Sequence, residues 1–322
     1  MATDPLSDLL KTVRLTGAVF FDVEAHEPWA VASPPRDLIL PKILPGADHL
    51  IAYHVVTEGR CLATPAGGRP IALQAGDVVV FTSGQPHVMS SHPDMSAPAH
   101  PTDVLEMAAS GRKPFGINLG EGDVSAKLVC GYLACDALPF NPLLENLPPV
   151  ITAAGLGQDG TGLAAQFIQF AVAEAGENRA GRDSVLTKLS ELMFIDVLRR
   201  HLETLPAEQA GWLAGLRDPF IGKALSLMHG KPAHGWTIED LARQVGLSRS
   251  VLAERFAALV GLPPMQYLAK WRMQLAAELL TGGNANMATI AAEIGYESEA
   301  AFSRAFKKMV GAAPSAWRRR GR

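Results

Sequence analysis

The last third of this 322-residue chain repeats itself. Leu241-Ala242 with Val245-Gly246 recurs 49 residues later as Ile290-Ala291 with Ile294-Gly295. One extra residue in the second turn moves the offset to 50. Ser248, Leu252, Phe256, Val260 and Gly261 then match Ser298, Phe302, Phe306, Val310 and Gly311. Pro264 matches Pro314, and Tyr267 matches Trp317. A stretch that recurs with its apolar positions, turn glycine and capping serine intact is duplicated architecture. In each copy a short helix carries a small residue, Ala242 or Ala291, where a second helix must approach closely. A glycine lets the chain turn, and a serine caps the next helix. That helix buries Leu252 and Phe256, or Phe302 and Phe306, against the first. The layout is a helix-turn-helix occurring twice, with the second helix of each copy available for a DNA major groove.

The same signals predict seven helices, over 219–230, 237–245, 248–260, 264–281, 287–294, 298–310 and 314–320. Their starts are marked by Thr237 followed by Asp240, by Ser248, by Ser298 and by Pro314. Their ends are marked by Gly230, Gly246, Gly261, Gly282, Gly295 and Gly311. With Leu252, Phe256 and Leu259 inward, the first recognition helix turns Arg249, Ser250, Ala253 and Glu254 outward. The second turns Glu299, Ala300, Ser303, Arg304 and Lys307 outward. A guanidinium can fork onto guanine O6 and N7, so Arg304 and Arg249 are the leading base readers, with Ser250, Ser303 and Glu254 behind them. Lys307, Lys308, Lys270, Arg272, Arg318, Arg319 and Arg320 suit phosphate contacts or solubility. The helix over 264–281 joins the copies, and its Tyr267, Leu268, Trp271, Leu275 and Leu279 read as core.

Charge supports a polyanion partner for this part alone. Of the 29 basic and 32 acidic residues, 14 and 7 lie in 219–322, leaving 15 and 25 for the rest. The C-terminal part is therefore at +7 and the remainder at −10, which suggests a polyanion partner for the basic part; the two helix-turn-helix copies make that partner double-stranded DNA. Charged residues are 19% and apolar residues 48% of the chain, which excludes wholesale disorder. No run reaches the roughly 18 apolar residues of a membrane span. The start, MATDPLSDLLKTVR, has no apolar signal core. Three cysteines are too few for a disulfide framework. The expectation is a cytoplasmic protein with no membrane partner.

Residues 219–320 resemble the DNA-binding domain of the AraC/XylS family of transcription regulators. The matching segments are IGYESEAAFSRAFKKMVGAAPSAWRR (294–319) and GLSRSVLAERFAALVGLPPMQYLAKWRM (246–273). Carried over by position, the resemblance implies DNA contacts from Ser250, Ala253, Glu254, Ser303 and Arg304. It also implies RNA polymerase as a partner. Ala253 and Glu254 depart from the bulky or basic residues that some family members place there.

Residues 1–150 read mostly as strands. GAVFFDV (17–23), HLIAYHVV (49–56), DVVVF (77–81) and AKLVCGYLA (126–134) are rich in Val, Ile, Tyr and Phe. Turns at 33–35, 45–46, 65–70, 83–86 and 114–116 separate them, a spacing that suits a barrel or sandwich. The segment 91–115 reads as a loop. From 161 the period becomes helical, first through Leu163, Phe167, Phe170 and Ala171. It continues through Val185, Leu186, Leu189, Leu192, Met193, Asp196 and Val197. The apolar stripe of these two helices serves either packing on the barrel or a homodimer. The fold class is thus α+β with two domains: an N-terminal β-barrel with flanking helices over 1–204, a linker over 205–218, and an all-α domain with two helix-turn-helix units over 219–322.

Residues 1–200 resemble the cupin-type sensor domain of one AraC-family subgroup, through GDVVVFTSGQPHVMSS (76–91) and YHVVTEG (53–59). The resemblance singles out His54, Glu58 and His87, positions at which cupin enzymes hold a metal. The first histidine of the usual pair is replaced by Ala52, so that site is incomplete. Cys130 and Cys135 add thiols near the barrel wall. In an unbroken strand they lie about 16 Å apart on opposite faces. Three readings stand: buried small residues and a hydrogen-bonded histidine lining an apolar effector pocket, a divalent metal held by His54, His87 and one or both of Cys130 and Cys135, and a thiol redox sensor. His26, His49, His92 and His100 read as surface or loop residues. The function expected is a sequence-specific DNA-binding regulator, not an enzyme, controlled by a small molecule, metal or oxidant. The alternative is a cupin metalloenzyme, an isomerase or dioxygenase, with an accessory DNA-binding domain.

Overall fold

The computed structural model describes residues 4–12, 15–44, 47–97, 115–135, 139–155, 170, 173–174, 180–206 and 211–320. The chain forms two compact units. Leu15–Ala137 with Leu147–Thr204 make one. Met1–Arg14, Leu138–Asn146 and Leu205–Arg322 make the other.

The first unit is a curled sheet of β1 (Leu15–His26), β2 (Ala30–Ala32), β3 (His49–Pro65), β4 (Ile71–Gln74), β5 (Val78–Phe81), β6 (His87–Ser90), β7 (Phe115–Leu119), β8 (Val124–Cys135) and β9 (Val150–Ala153). Among the described residues the main strand order is β2-β6-β3-β8-β1-β7, with β4 and β5 on β3 and β9 on β5. The 17-residue β3 explains the curl. Its first half lies between β5 and β8, and its second half pairs with β4 and β6. Four of these strands cover the Val-, Ile- and aromatic-rich runs of the sequence, as strand preference requires. Phe115 and Gly116, expected in a turn, belong to β7, which runs parallel to β1. The inner face of the sheet is apolar, with Phe21, Val23, Trp29, Val56, Phe81, Met89 and Leu128 among its buried residues.

Helix α2 (Arg36–Ile43) follows β2. Helix α4 (Arg182–Thr204) packs on β1 and β9. Its buried stripe is Leu186, Ser190, Met193, Phe194, Val197 and Leu198, while Val185 and Leu192 of the expected stripe are exposed. The barrel therefore takes up most, but not all, of its apolar face. Of the helix expected from 161, Leu163, Phe167 and Ala171 lie outside the described residues; Phe170 is helical and exposed.

The second unit contains α1 (Pro5–Thr12), α3 (Pro142–Asn146), α5 (Trp212–Arg217), α6 (Pro219–Gly230), α7 (Ile238–Val245), α8 (Arg249–Val260), α9 (Pro264–Gly282), α10 (Met287–Glu293), α11 (Glu299–Val310) and α12 (Pro314–Arg320). The last seven match the seven expected helices to within a residue or so at each end. Thr237, Ser248 and Ser298 each accept a backbone N–H from three residues on. Asn286, which was not anticipated, caps α10 in the same way. Helix α5 lies within the expected linker, and its Trp212 is fully buried, donating to the Tyr267 hydroxyl at 2.9 Å. Segments distant in sequence also join this unit. Gln274, buried in α9, accepts the Phe140 backbone N–H at 3.3 Å, and Leu9 of α1 is fully buried.

Helix α9 serves two cores with two faces. Tyr267, Leu268 and Trp271 are buried on one. Met273, Ala276, Ala277 and Leu280 are buried with Ile290, Phe302 and Phe306 on another. At 100° per residue, the step from 271 to 273 turns the helix by about 200°. Leu275 and Leu279, expected in a single stripe, are only half-buried.

Candidate nucleic-acid interface and barrel cavity

Both recognition helices are seated by aromatic or aliphatic knobs and exposed on the other side. In α8, Leu252 and Phe256 are fully buried and Leu259 is half-buried. Arg249, Ser250 and Glu254 are exposed and Ala253 is half-buried. In α11, Phe302 and Phe306 are fully buried, while Glu299, Ala300, Arg304, Lys307 and Lys308 are exposed and Ser303 is half-buried. Arg304, Ser303, Lys307 and Glu299 line one open cleft, which continues onto Met287 of α10 and Pro314 and Ser315 of α12. Arg249 forms an ion pair with Glu239 of α7 at 2.9 Å.

Three basic residues assigned to phosphates or solubility have internal partners instead. Arg272 donates to the carbonyls of Pro232 at 2.7 Å and His234 at 2.9 Å. Arg318 donates to the Ala285 carbonyl at 2.6 Å. The Lys270 ammonium stands 5.0 Å from the centre of the Phe140 ring. Periodicity cannot separate such side chains from free ones, because their partners are non-local carbonyls and rings.

The inner face of the barrel lines a half-open cavity of about 80 Å³, with Phe21, Val23, Met89, Ile117, Tyr132 and other largely apolar groups in its wall. His54, His87 and Cys130 meet at its wall. His54 and Cys130 are cross-strand partners on β3 and β8. Gln85, in the turn before β6, sets the protonation pattern. Its carbonyl can only accept, so His87 Nδ1, 2.9 Å away, carries the proton. His87 Nε2 is then an acceptor, and His54 Nε2, at 2.7 Å, must donate to it. That leaves His54 Nδ1 to accept the Cys130 S–H at 2.8 Å. His87 also stacks on Phe81, with ring centres 3.6 Å apart.

Burial keeps every member of this chain neutral. Desolvation, and secondarily His87, hold the His54 imidazole well below its usual range. Desolvation lowers His87 to about 4 and raises the Cys130 thiol well above its ordinary value. Tyr132, two residues on and on the same face, is pushed up to about 12 by burial. It is the neighbour that sequence reading missed; alternation from Cys130 was the available signal.

Glu58 and Cys135 are not part of this cluster. In a regular strand Glu58 would share the face of His54. A bulge between Val56 and Glu58 reverses that, and Glu58 pairs with Lys127 on the outside at 3.1 Å. Strand β8 runs unbroken from Val124 to Cys135, which keeps the two thiols on opposite faces, and neither is in a disulfide. The residues present do not fit a cupin metal. Ala52 replaces one ligand, Glu58 points away, and Cys130 addresses the opposite nitrogen of His54 from His87. Among the described residues, no group of three or more His, Cys, Asp or Glu side chains is placed to share a cation. Of the remaining histidines, His49 is half-buried on β3 with Nε2 2.6 Å from the Thr82 carbonyl. His100 lies outside the described residues. Among the described residues, no helix is long and apolar enough to cross a membrane.

Comparison with known proteins bears on both units. Residues 4–203 match the family described as Cupin, and residues 241–320 match the family described as Helix-turn-helix domain. A Streptomyces antibioticus protein named as an AraC-like transcription regulator is 34% identical over 322 residues, covering 98% of each chain. A Streptomyces lividans protein of the same name is 33% identical over 321 residues, again covering 98% of each. The HTH-type transcriptional regulator AlkR of Acinetobacter baylyi is 28% identical over 317 residues, covering 98% of this chain and 99% of that one.

Proposed function

The chain belongs to the AraC-like DNA-binding transcription regulators that join a cupin domain to a helix-turn-helix domain, and on that footing we propose how this member reads DNA and is controlled. Helices α8 and α11 enter two segments of major groove. Arg304 and Arg249 read bases, with Ser303, Ser250, Ala253 and Glu254 beside them, and Lys307 and Lys308 hold phosphates. The 19-residue α9 between the two helix-turn-helix copies spans about 28 Å, comparable with the ~34 Å between successive groove faces on one side of a duplex. The observation that carries this reading is the two-sidedness of α11, with Phe302 and Phe306 wholly inside and Arg304 outside.

The barrel cavity is the effector site. Its lining favours a small, largely apolar molecule, and its polar groups are already paired with one another. Effector binding shifts the balance between states of the chain that differ in DNA affinity. The barrel acts as a sensor, in keeping with the full-length relatives being named as transcription regulators. RNA polymerase and a second copy of the chain are proposed partners on family membership alone.

A gel shift on the DNA upstream of the neighbouring operon tests the reader. Arg304→Ala is expected to weaken specific binding by about 5- to 150-fold, matching ~1–3 kcal/mol for a bidentate base contact. Binding should also fall steeply with added salt. Unchanged binding in both experiments removes the assignment.

A further inference from the structure

The cavity wall holds a thiol beside a base. Cys130, 9% exposed, lines the cavity, and His54 Nδ1 waits 2.8 Å from its sulfur with the lone pair toward the S–H. Neither Cys61 nor Cys135 lines this cavity. We propose that Cys130 captures a small apolar electrophile, of the α,β-unsaturated carbonyl class, that enters the barrel cavity, with His54 as the base. This rests on the reading of the cavity as the effector site and names the chemistry of the effector.

The step balances without an oxidant. The Cys130 S–H bond breaks and its proton passes to His54 Nδ1. The sulfur lone pair forms a bond to the β-carbon, and the C=C pair moves onto the carbonyl system as an enolate. The proton then passes from Nδ1 to the α-carbon, which restores neutral His54. Throughout, His54 Nε2–H keeps donating to His87. Burial raises the Cys130 thiol and lowers the His54 imidazole, which disfavours a free thiolate–imidazolium pair, so proton transfer to Nδ1 accompanies C–S bond formation rather than preceding it.

The geometry also gives the adduct a consequence. Capture deletes the only proton that Cys130 could donate. His54 cannot compensate by changing tautomer, because His87 needs the Nε2 proton and is itself fixed by the Gln85 carbonyl. A thioether therefore leaves an acceptor nitrogen without its donor at the cavity wall, and it adds carbon atoms to an 80 Å³ space. Both changes press on the β3–β8 pairing, where His54 and Cys130 face one another.

The test treats the full-length protein with 2-cyclohexen-1-one and follows adducts by intact mass and peptide mapping. Saturated cyclohexanone serves as the control that can bind but not add. In the native protein Cys130 should label first, whereas in urea the three cysteines should label at similar rates. Cys130→Ser should abolish the early adduct, and His54→Gln should slow it by about 10²-fold or more. Native labelling of Cys130 no faster than of Cys61 and Cys135 overturns the proposal; this arm needs no variant, so it decides even if His54→Gln does not fold. An unchanged rate in folded His54→Gln overturns it too. DNA binding measured in parallel separates the two claims. A Cys130 adduct that leaves DNA affinity unaltered sinks the effector reading while the capture chemistry stands. A cyclohexenone response with no adduct, matched by cyclohexanone, keeps the effector reading and sinks capture.

Discussion

The guanidinium of Arg249 lies 2.9 Å from the carboxylate of Glu239, tying the first residue of one recognition helix to the first turn of the helix before it. Both side chains are more than half exposed, at 71% and 54%, so the pair adds little to stability. Its effect falls on reading. A guanidinium engaged by a carboxylate must leave it before it can fork onto a guanine, and the carboxylate brings negative charge to a surface meant for DNA. Glu239→Gln is therefore expected to tighten DNA binding by about 1.5- to 5-fold, the range set by ~0.2–1 kcal/mol for an exposed pair. Fluorescence anisotropy at low and moderate salt checks this; equal or weaker binding would show that Arg249 does not reach the DNA.

Asp218 links the packing of the same helix to a cap. Its Oδ1 accepts the backbone N–H groups of Phe220 at 3.0 Å and Ile221 at 2.9 Å, and its Oδ2 accepts from Arg255 Nε at 2.8 Å. Loss of a cap of this kind costs about 1–2 kcal/mol. Asp218→Ala should lower the thermal midpoint of the reader accordingly. Asp218→Asn should recover most of the loss, because an amide oxygen still caps the helix. If both variants melt like the parent, the cap is not what holds the start of α6.

The two halves of the molecule were unequally legible in the sequence. The reader's last seven helices were visible because each boundary is local chemistry: a Ser or Thr whose oxygen meets an N–H three residues on, or a glycine at positive φ such as Gly246 and Gly261. That His54 and His87 belong together was implied by the resemblance of segments 53–59 and 76–91 to a cupin-type sensor, and the two rings do meet, at 2.7 Å. The position of Glu58 was not legible, since one extra residue in a strand leaves no mark in composition yet reverses every side chain beyond it. Nor could spacing show that Phe140 and Leu9 pack with the reader. Such partners are more than a hundred residues away and are chosen by shape.

Acid should destabilise the reader through His229. Its side chain is fully buried, stacks on Trp271 with ring centres 4.0 Å apart, and accepts the Tyr267 hydroxyl proton on Nε2 at 2.8 Å. Burial lowers its pKa to about 3. The unfolded chain takes a proton near pH 6.5 and the folded chain refuses it until about pH 3. Stability is thus undiminished above 6.5 and falls through this window by up to about 1.4 kcal/mol per pH unit from this residue. Asp8, raised by burial, acts in the opposite sense within the carboxylate range. Thermal melts between pH 6.5 and 5 should show the loss, and His229→Gln, which keeps an acceptor for Tyr267, should flatten it. His54 and His87 add the same trend in the barrel unit, so the comparison must follow a probe in the reader, such as Trp271 fluorescence. An unaltered slope in His229→Gln would mean that this histidine is not neutral in the fold.

The turn glycines of the two copies are equivalent in sequence but not in surroundings, and that difference gives a paired test. Gly246 has φ +85° and Gly295 φ +81°, so alanine is strained at both by about 1–2 kcal/mol. A Cβ at Gly246 would meet nothing within 4 Å. At Gly295 it would lie 2.7 Å from the Ala233 carbonyl oxygen, 2.8 Å from the Ala233 Cα and 2.9 Å from Arg272 Nη2. Neither neighbour can yield cheaply, because Arg272 grips the carbonyls on both sides of Ala233, at Pro232 and His234. The turn of the second copy is thus pressed against a loop of the first, with the joining helix supplying the clamp. Gly295→Ala should cost clearly more stability than Gly246→Ala in denaturant melts. It should also weaken binding to a two-segment DNA site more than binding to either segment alone, since it disturbs how the two reading helices are held together. Equal costs for the two substitutions would show that this contact does not fix the geometry between the copies.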